Sequence, residues 1–426
     1  MAQAAIAKVH GRRVWDSRGR PTVEVEVALA GGIIGRAIAP AGASTGSGEA
    51  VDLRDGGAAF GGLDVRRAVA NVNDIIAPAL AGRDAGAQAE IDGHLIELDG
   101  TPAKARLGGN AIVATSLAVL QAAAASHAEP LWRYLTQGGE VTIPVPEIQI
   151  FGGGAHAARR VDVQDFMVVA PNASSFAEAL DRTAEVYRAA GQILAERGLV
   201  QGVADEGGWW PTFSSNEEAL DMLVRAIERA GFTPGDEVAI SLDVAASELG
   251  RGGRYRLALE QRDLDADGMI GMLGRWIERY PIVAIEDPLA EDDPEGFCRF
   301  TAAFGDKLQV IGDDFLVTNA DRVREAARAG TCNAVLIKPN QAGTVTEAKA
   351  ALDAGKAAGF ATIVSARSGE TEDVAIAHLA VGWNAGQLKV GSFARSERMA
   401  KWNEVLRIEE ALGHGSRLAR PFDRGP

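Results

Sequence analysis

The chain has 426 residues, 47% hydrophobic and 24% charged, the make-up of a globular protein with a large core, not of a disordered or fibrous one. That length exceeds one ordinary domain, so two domains, or one large barrel with an appendage, are expected. Lys and Arg number 43 against 58 Asp and Glu, and the net charge of −15 opposes non-specific attraction to nucleic acid or anionic membranes. An anionic substrate would need locally gathered cations, from Lys and Arg or from bound metal. Two cysteines, Cys298 and Cys332, are too few to staple such a chain, which points to a reducing, cytoplasmic setting. The segment MAQAAIAKVHGRR lacks the apolar core of a signal peptide, and no stretch is expected to supply the ~18–20 apolar residues of a membrane span.

In chain order, Thr22 to Val27 alternates strictly, with Val23, Val25 and Val27 on one face and Glu24 and Glu26 on the other, predicting a half-exposed antiparallel strand. Gly31-Gly32 turns it, Ile33 to Ala39 returns as a second strand, and the small residues from Pro40 to Ala50 form a loop. Helices are predicted over 65–81 and 111–125. The proline-punctuated VTIPVPEI from Val141 reads as a linker, which sets a domain boundary near residue 138. Beyond it, short apolar runs alternate with amphipathic stretches, the pattern of repeated βα units.

Charged groups stand where those runs end: Asp243, then Glu286-Asp287, Asp313-Asp314, Lys338, Arg367-Ser368 and Lys389. They recur about every 20–45 residues, close to one strand, one helix and their loops. In a (β/α) barrel the carboxyl ends of the strands converge on one face, so residues far apart in sequence would share a pocket. An open doubly wound sheet would also gather them on one edge, but no glycine-rich dinucleotide fingerprint opens a βαβ unit.

Asp243, Glu286 and Asp313 on successive strands would raise one another's pKa values by repulsion, and a divalent cation resolves this; all-oxygen ligation suits Mg2+. Any one of these acids alone could equally cap a helix. Lys338, projecting from a buried strand end beside such a metal, is a candidate general base whose neutral amine nearby positive charge would favour. Proton abstraction next to a carboxylate becomes feasible when metal ions stabilise the ene-diolate. Arg367, Ser368 and Lys389 suit phosphate or carboxylate recognition, and Glu206 in VADEGG is a candidate acid for a leaving group.

The motifs DSRGRPTVEVEV, GASTG, ADEGG, LDVAASE, IEDP, GDD, LIKPNQAGT, RSGETED and RSERMAKWNEVLRIEE follow in that order, and through them the chain resembles the enolase, or phosphopyruvate hydratase, family along nearly its full length. The resemblance implies an α/β architecture. A smaller N-terminal α+β capping domain, residues 1–138, would precede an enolase-type (β/α)8 barrel, residues 139–426, whose first strands and helices depart from strict alternation. It also implies two Mg2+ ions per active site and a homodimer or higher homo-oligomer. Carried over by motif, Asp243, Glu286 and Asp313 would bind the first Mg2+, and Ser44 in a mobile GASTG loop would help bind the second. Lys338 would remove the α-proton and Glu206 assist departure of the β-hydroxyl. Lys389 would hold the substrate carboxylate and Arg367 and Ser368 the phosphate, with His156 and Gln164 nearby.

Departures from the family pattern accompany the matches. A pocket histidine is replaced by Ala366, a glutamate that supports the general acid by Asp165, an asparagine by Arg159 next to Arg160, and a bulky loop residue by Gly48. Shortening at Asp165 would weaken its reach to Glu206, and Arg159 would add positive charge for substrate binding. This favours a specialised homologue acting on 2-phosphoglycerate or a close phospho- or phosphono-acid, with or without a second anionic substrate, similar in outline to carboxyphosphonoenolpyruvate synthase of phosphonate biosynthesis. The alternatives are a housekeeping enolase forming phosphoenolpyruvate, and a non-catalytic binding or structural descendant.

Overall fold

The computed structural model describes residues 4–423. Its N-terminal sheet is an antiparallel meander of β1 (Ile6–Trp15), β2 (Pro21–Leu29) and β3 (Ile34–Ile38). Val23, Val25 and Val27 are fully buried on the face that meets the helix Gly109–Ser126. On the other face Glu24 and Glu26 pair with Arg12 and Arg36. The strand is less exposed than its alternation predicts, because it is the central one and Arg12 lies over Glu24. The sheet also contains β1, which the sequence reading left unassigned.

Gly35 lets sheet and helix meet: a Cβ there would stand 2.3 Å from Ala118 O and from Ala122 N. The helix corrects one expectation. Gly109–Ser126 is long and apolar enough to cross a membrane, but 83% of it is buried inside the protein, as the central core helix. The helix predicted over 65–81 forms as Arg66–Asn71 and Ala77–Leu80 joined by a π turn, Val72–Ile76, where the ladder widens ahead of Pro78.

The barrel opens with β4 (Val145–Gly152) and β5 (Asp165–Val169), followed by a hairpin of β6 (Val200–Val203) and β7 (Trp209–Pro211), and by β8 (Ala239–Asp243). A small outer sheet of β9 (Gly250–Arg251), β10 (Arg254–Leu257) and β11 (Arg262–Asp265) precedes β12 (Ile282–Glu286), β13 (Gln309–Gly312), β14 (Ala334–Ile337), β15 (Ala361–Ser365) and β16 (Gln387–Gly391). Strands β4, β5, β8 and β12 to β16 close on themselves through the β16–β4 pairing. Strand β5 runs antiparallel to both neighbours and the others are parallel.

The expected linker is in part a strand: VTIPVPEI runs into β4. Pro146 is tolerated because the ladder with β5 begins only at Ile148, so the missing N–H falls where that side has no partner. Inside the barrel, Ala284, Ile311, Ala334, Leu336 and Ile363 form an apolar half on β12 to β15. The facing half, on β16, β4, β5 and β8, carries Gln387, Lys389, Glu147, Gln149, Asp165 and Ser241.

Candidate active site

The side chains that cap the covering helices are Ser175, Ser215, Asp265, Asp293, Asn319 and Thr344. The acids at the strand ends are therefore not caps; they face one another inside the barrel mouth. Lys389 donates to Asp243 at 2.9 Å and Glu286 at 2.8 Å and lies 3.7 Å from Asp165. Burial opposes its charge, but Asp243, Glu286 and Asp165 outweigh it and raise its pKa well above the ordinary lysine value. Gln164 donates to Asp243 at 3.2 Å. Asp313 accepts from Lys338 and, at 2.8 Å, from Gln341.

A neutral Lys338 is not what this geometry favours. Burial and the fields of Arg367 and Lys389 push the amine toward neutrality, yet Asp313 and Glu286 prevail and its pKa is raised. The reason is proximity: its direct partner is the Asp313 carboxylate, and the Lys338 ammonium in turn holds Asp313 down to about 2 despite that group's burial.

A second cluster stands on the opposite wall. The His156 ring lies between two carboxylates, with Nδ1 3.0 Å from Asp165 Oδ1 and Nε2 3.6 Å from Glu206 Oε1. Nε2 also lies 3.1 Å from Ser368 Oγ. Burial of the ring opposes its charge, but Asp165 and Glu206 lift its pKa to about 9. The shortened Asp165 is thus linked to Glu206 through the imidazole.

Gln149 is the strut of this cluster and was missed, because it lies directly after the segment 141–148 taken for a linker, in a stretch read as no element. Its amide donates to Asp165 while its oxygen accepts from Gly208 N at 2.8 Å, which fixes the loop that carries Glu206.

The loop from Pro40 to Ala50 lies against the barrel. Arg367 donates to Glu49 at 2.8 and 3.1 Å and to Ser44 O at 2.9 Å. Ser47 binds Glu291 through N at 2.9 Å and Oγ at 3.0 Å. Glu49 is thus the main anchor of the loop, which the sequence pattern did not single out. Arg398, fully buried, donates to the carbonyls of Arg367 at 2.7 Å and Val390 at 2.8 Å, and to that of Ser368, so the phosphate-side residues rest on one guanidinium. Arg159 is not drawn into this group: it is exposed and paired with Glu248. Arg160 is exposed as well.

The donor set fits a hard divalent cation. Asp243, Glu286 and Asp313 crowd together against Lys338 and Lys389, and the buried Glu286 Oε1 has no hydrogen-bond partner among the described residues. Burial and the neighbouring Asp243 push the Glu286 carboxyl well above the usual range, the penalty a cation would relieve. Asp287, Asp313 and Asp314 also present oxygens within 4.8 Å of one another. Asp287 is occupied there in bonding the backbone N–H groups of Asp313 at 2.9 Å and Asp314 at 2.8 Å.

Comparison with known proteins accords with this arrangement. Residues 6–135 match the family described as enolase, N-terminal domain, and residues 140–421 that described as enolase, C-terminal TIM barrel domain. The chain belongs to the enolase family. It is 50% identical over 415 residues to Enolase 1 of Desulfitobacterium hafniense (strain Y51), covering 97% of this chain and 95% of that protein. As an enolase-family protein it is an enzyme of lyase type built on a barrel with acidic metal-binding groups. The family's departure from strict alternation is visible here as the antiparallel β5. The replaced pocket histidine leaves Ala366 buried, its N–H bonded to Lys389 O at 2.8 Å.

Proposed function

We propose that the chain converts 2-phosphoglycerate to phosphoenolpyruvate and water, the housekeeping reading. The observation that carries it is the placement of base and acid. In the closed strand order, β14 with Lys338 stands across from β5 with Asp165, the partner of His156 and, through it, of Glu206. Groups on opposite walls suit removal of a proton from one face of a Cα–Cβ bond and departure of hydroxide from the other.

In this reading Asp243, Glu286 and Asp313 hold one Mg2+ and Ser44 contributes to a second. When bound, these ions supply the positive charge that a carboxylate bearing an α-carbanion requires. Lys389 holds the substrate carboxylate, and Arg367 and Ser368 the phosphate. Lys338 Nζ takes the α-proton; the groups that hold it protonated, Asp313 and Glu286, both belong to the metal-binding set. The His156–Glu206 pair gives a proton to the departing β-hydroxyl, so water leaves as the double bond forms.

The specialised synthase reading loses its supports. Half of the residues match an Enolase 1 over almost the whole chain, the charge of Arg159 is matched by Glu248, and Asp165 keeps its link to Glu206 through His156. A domain boundary at 138/139, a homodimer or higher homo-oligomer and a cytoplasmic setting complete the proposal.

The test is a Mg2+-dependent assay of phosphoenolpyruvate formation from 2-phosphoglycerate, with Lys338→Ala as the blank. Turnover within ~1–10³ s⁻¹ that is abolished by chelation is the expected result. Exchange of the α-proton into deuterated water without dehydration would restore the specialised reading, and neither activity would leave a non-catalytic descendant.

A further inference from the structure

Gln341 lies in the single helical turn Pro339–Ala342 that follows Lys338 at the end of β14, and only 1% of it is exposed. The reaction described above gives it no task. Its backbone touches the loop of residues 40–50, since its carbonyl accepts from Ala50 N at 2.8 Å.

The side chain reaches both the loop and the barrel. Nε2 donates to Asp313 Oδ1 at 2.8 Å and to Glu49 Oε1 at a longer 3.4 Å. Oε1 accepts from Thr318 Oγ1 at 2.6 Å, and that hydroxyl accepts in turn from Lys338 N at 2.9 Å. An amide nitrogen carries two hydrogens and accepts nothing, so a carboxylate for each hydrogen satisfies it. The opposite orientation would set the amide oxygen against both carboxylates. The Thr318 hydroxyl fixes the choice, because Lys338 N donates to its oxygen and leaves its hydrogen for Gln341.

Each carboxylate leads to a different part of the molecule. Asp313 Oδ2 accepts from Lys338, the base on β14. Glu49 anchors the loop: its Oε1 also accepts from Gly46 N at 3.0 Å, and both of its oxygens accept from Arg367. One buried amide therefore joins the loop to the group that holds the base.

We propose that Gln341 is a positioning residue that couples the seating of the loop of residues 40–50 to the alignment of the Asp313–Lys338 pair. With the loop down, Thr318, Asp313 and Glu49 pin the amide together. With the loop lifted, the N–H toward Glu49 has lost its acceptor, the amide is free to turn, and Asp313 is left without a fixed donor. The base is thus best aligned when the loop covers the site. The catalytic half rests on the 2-phosphoglycerate reading, whose failure would show as absence of turnover in the unmodified enzyme; the loop half is read without substrate or metal.

The test replaces Gln341 by Met, of like length but without donors, in the full-length chain. Amide hydrogen exchange is followed in the metal-free protein at Ser47 N, whose own acceptor is Glu291, and along the central strand β2. The values of kcat and KM for 2-phosphoglycerate are measured at saturating Mg2+. The expected result is exchange about five- to tenfold faster at Ser47 N and unchanged in β2, with kcat about tenfold lower and KM within about threefold. Thr318→Val, which frees the amide to turn, should speed Ser47 N to the same extent, and Thr318→Ser, which keeps the hydroxyl, should leave it as in the unmodified protein. A fall in kcat with Ser47 N unchanged, faster exchange with kcat unchanged, acceleration that extends to β2, or failure of both Gln341→Met and Thr318→Val to fold would overturn the coupling, the last two assigning these hydrogen bonds to stability alone.

Discussion

Replacing Glu49 by Gln removes the anion that fastens the loop of residues 40–50 to the barrel. The pair is almost completely buried, with side-chain exposures of 3% for Arg367 and 8% for Glu49, so solvent screens it little. Two charge-assisted hydrogen bonds at 2.8 and 3.1 Å would be worth about 1.5–3 kcal/mol each. Gln retains one neutral acceptor, and Arg367, still charged, keeps the fields of Asp313 and Asp314. The net loss is then about 2–3 kcal/mol, which at about 1.4 kcal/mol per tenfold raises the open population of the loop ~30- to 140-fold. Hydrogen exchange at Ser47 N reads this, because its acceptor is Glu291 and the substitution does not touch it. Exchange there within threefold of the unmodified protein, in a variant that folds, would refute the idea that the ion pair holds the loop.

Gly46 and Gly48 separate backbone from side-chain tolerance. A Cβ at Gly46 would stand 2.5 Å from Val317 Cγ1 and 3.0 Å from Asp314 O, whereas at Gly48 the nearest atom, at 2.6 Å, is the flexible tip of Arg322. Gly46→Ala should lower kcat/KM about 10²-fold and Gly48→Ala by less than threefold, as steady-state assays would show. Arg398→Met takes a charged donor from the carbonyls of Arg367, Val390 and Ser368 and should cost about 3–5 kcal/mol in urea unfolding. The His156–Asp165 pair sets a pH dependence. With His156 raised from 6.5 to about 9, its stabilisation is complete below pH 6.5 and lost as pH rises through 9. With Asp165 lowered from 3.8 to about 2, its stabilisation is present above pH 3.8 and lost as pH falls through 2. Denaturation midpoints should therefore decline between pH 6.5 and 9, and Asp165→Asn should flatten that decline.

Much of the barrel was legible because its code is one-dimensional. A buried run followed by a charge, repeated at the spacing of one βα unit, located the ends of β8 and β12 to β16 without knowledge of which strand pairs with which. Strand β4 was hidden by Pro144 and Pro146, since local propensity speaks against a strand and only the closing partner β16 makes one there. The membrane criterion was misjudged at Gly109–Ser126 because runs of alanine carry enough hydropathy to pass it while serving close packing. The site residues were visible as types, but their partners were not: that Lys338 meets Asp313, that His156 lies between Asp165 and Glu206, and that Arg159 turns to Glu248 depend on angles between strands. Glu49 and Gln149 carry no spacing signal, and their roles exist only in the folded contacts.

The closing seam has a consequence for how the chain is made. Strand β4 is synthesised first among the barrel strands, but the edge that β16 covers stays bare until residues some 240 positions later emerge, the separation between Glu147 and Gln387. The segment after the last helix adds to the delay, because Ile143 N bonds Arg417 O at 2.8 Å and Ala419 N bonds Ile143 O at 2.8 Å. A ribosome stalled late in the message would therefore hold an open half-barrel with an unpaired parallel edge, the form most exposed to misassociation and most in need of a holding chaperone.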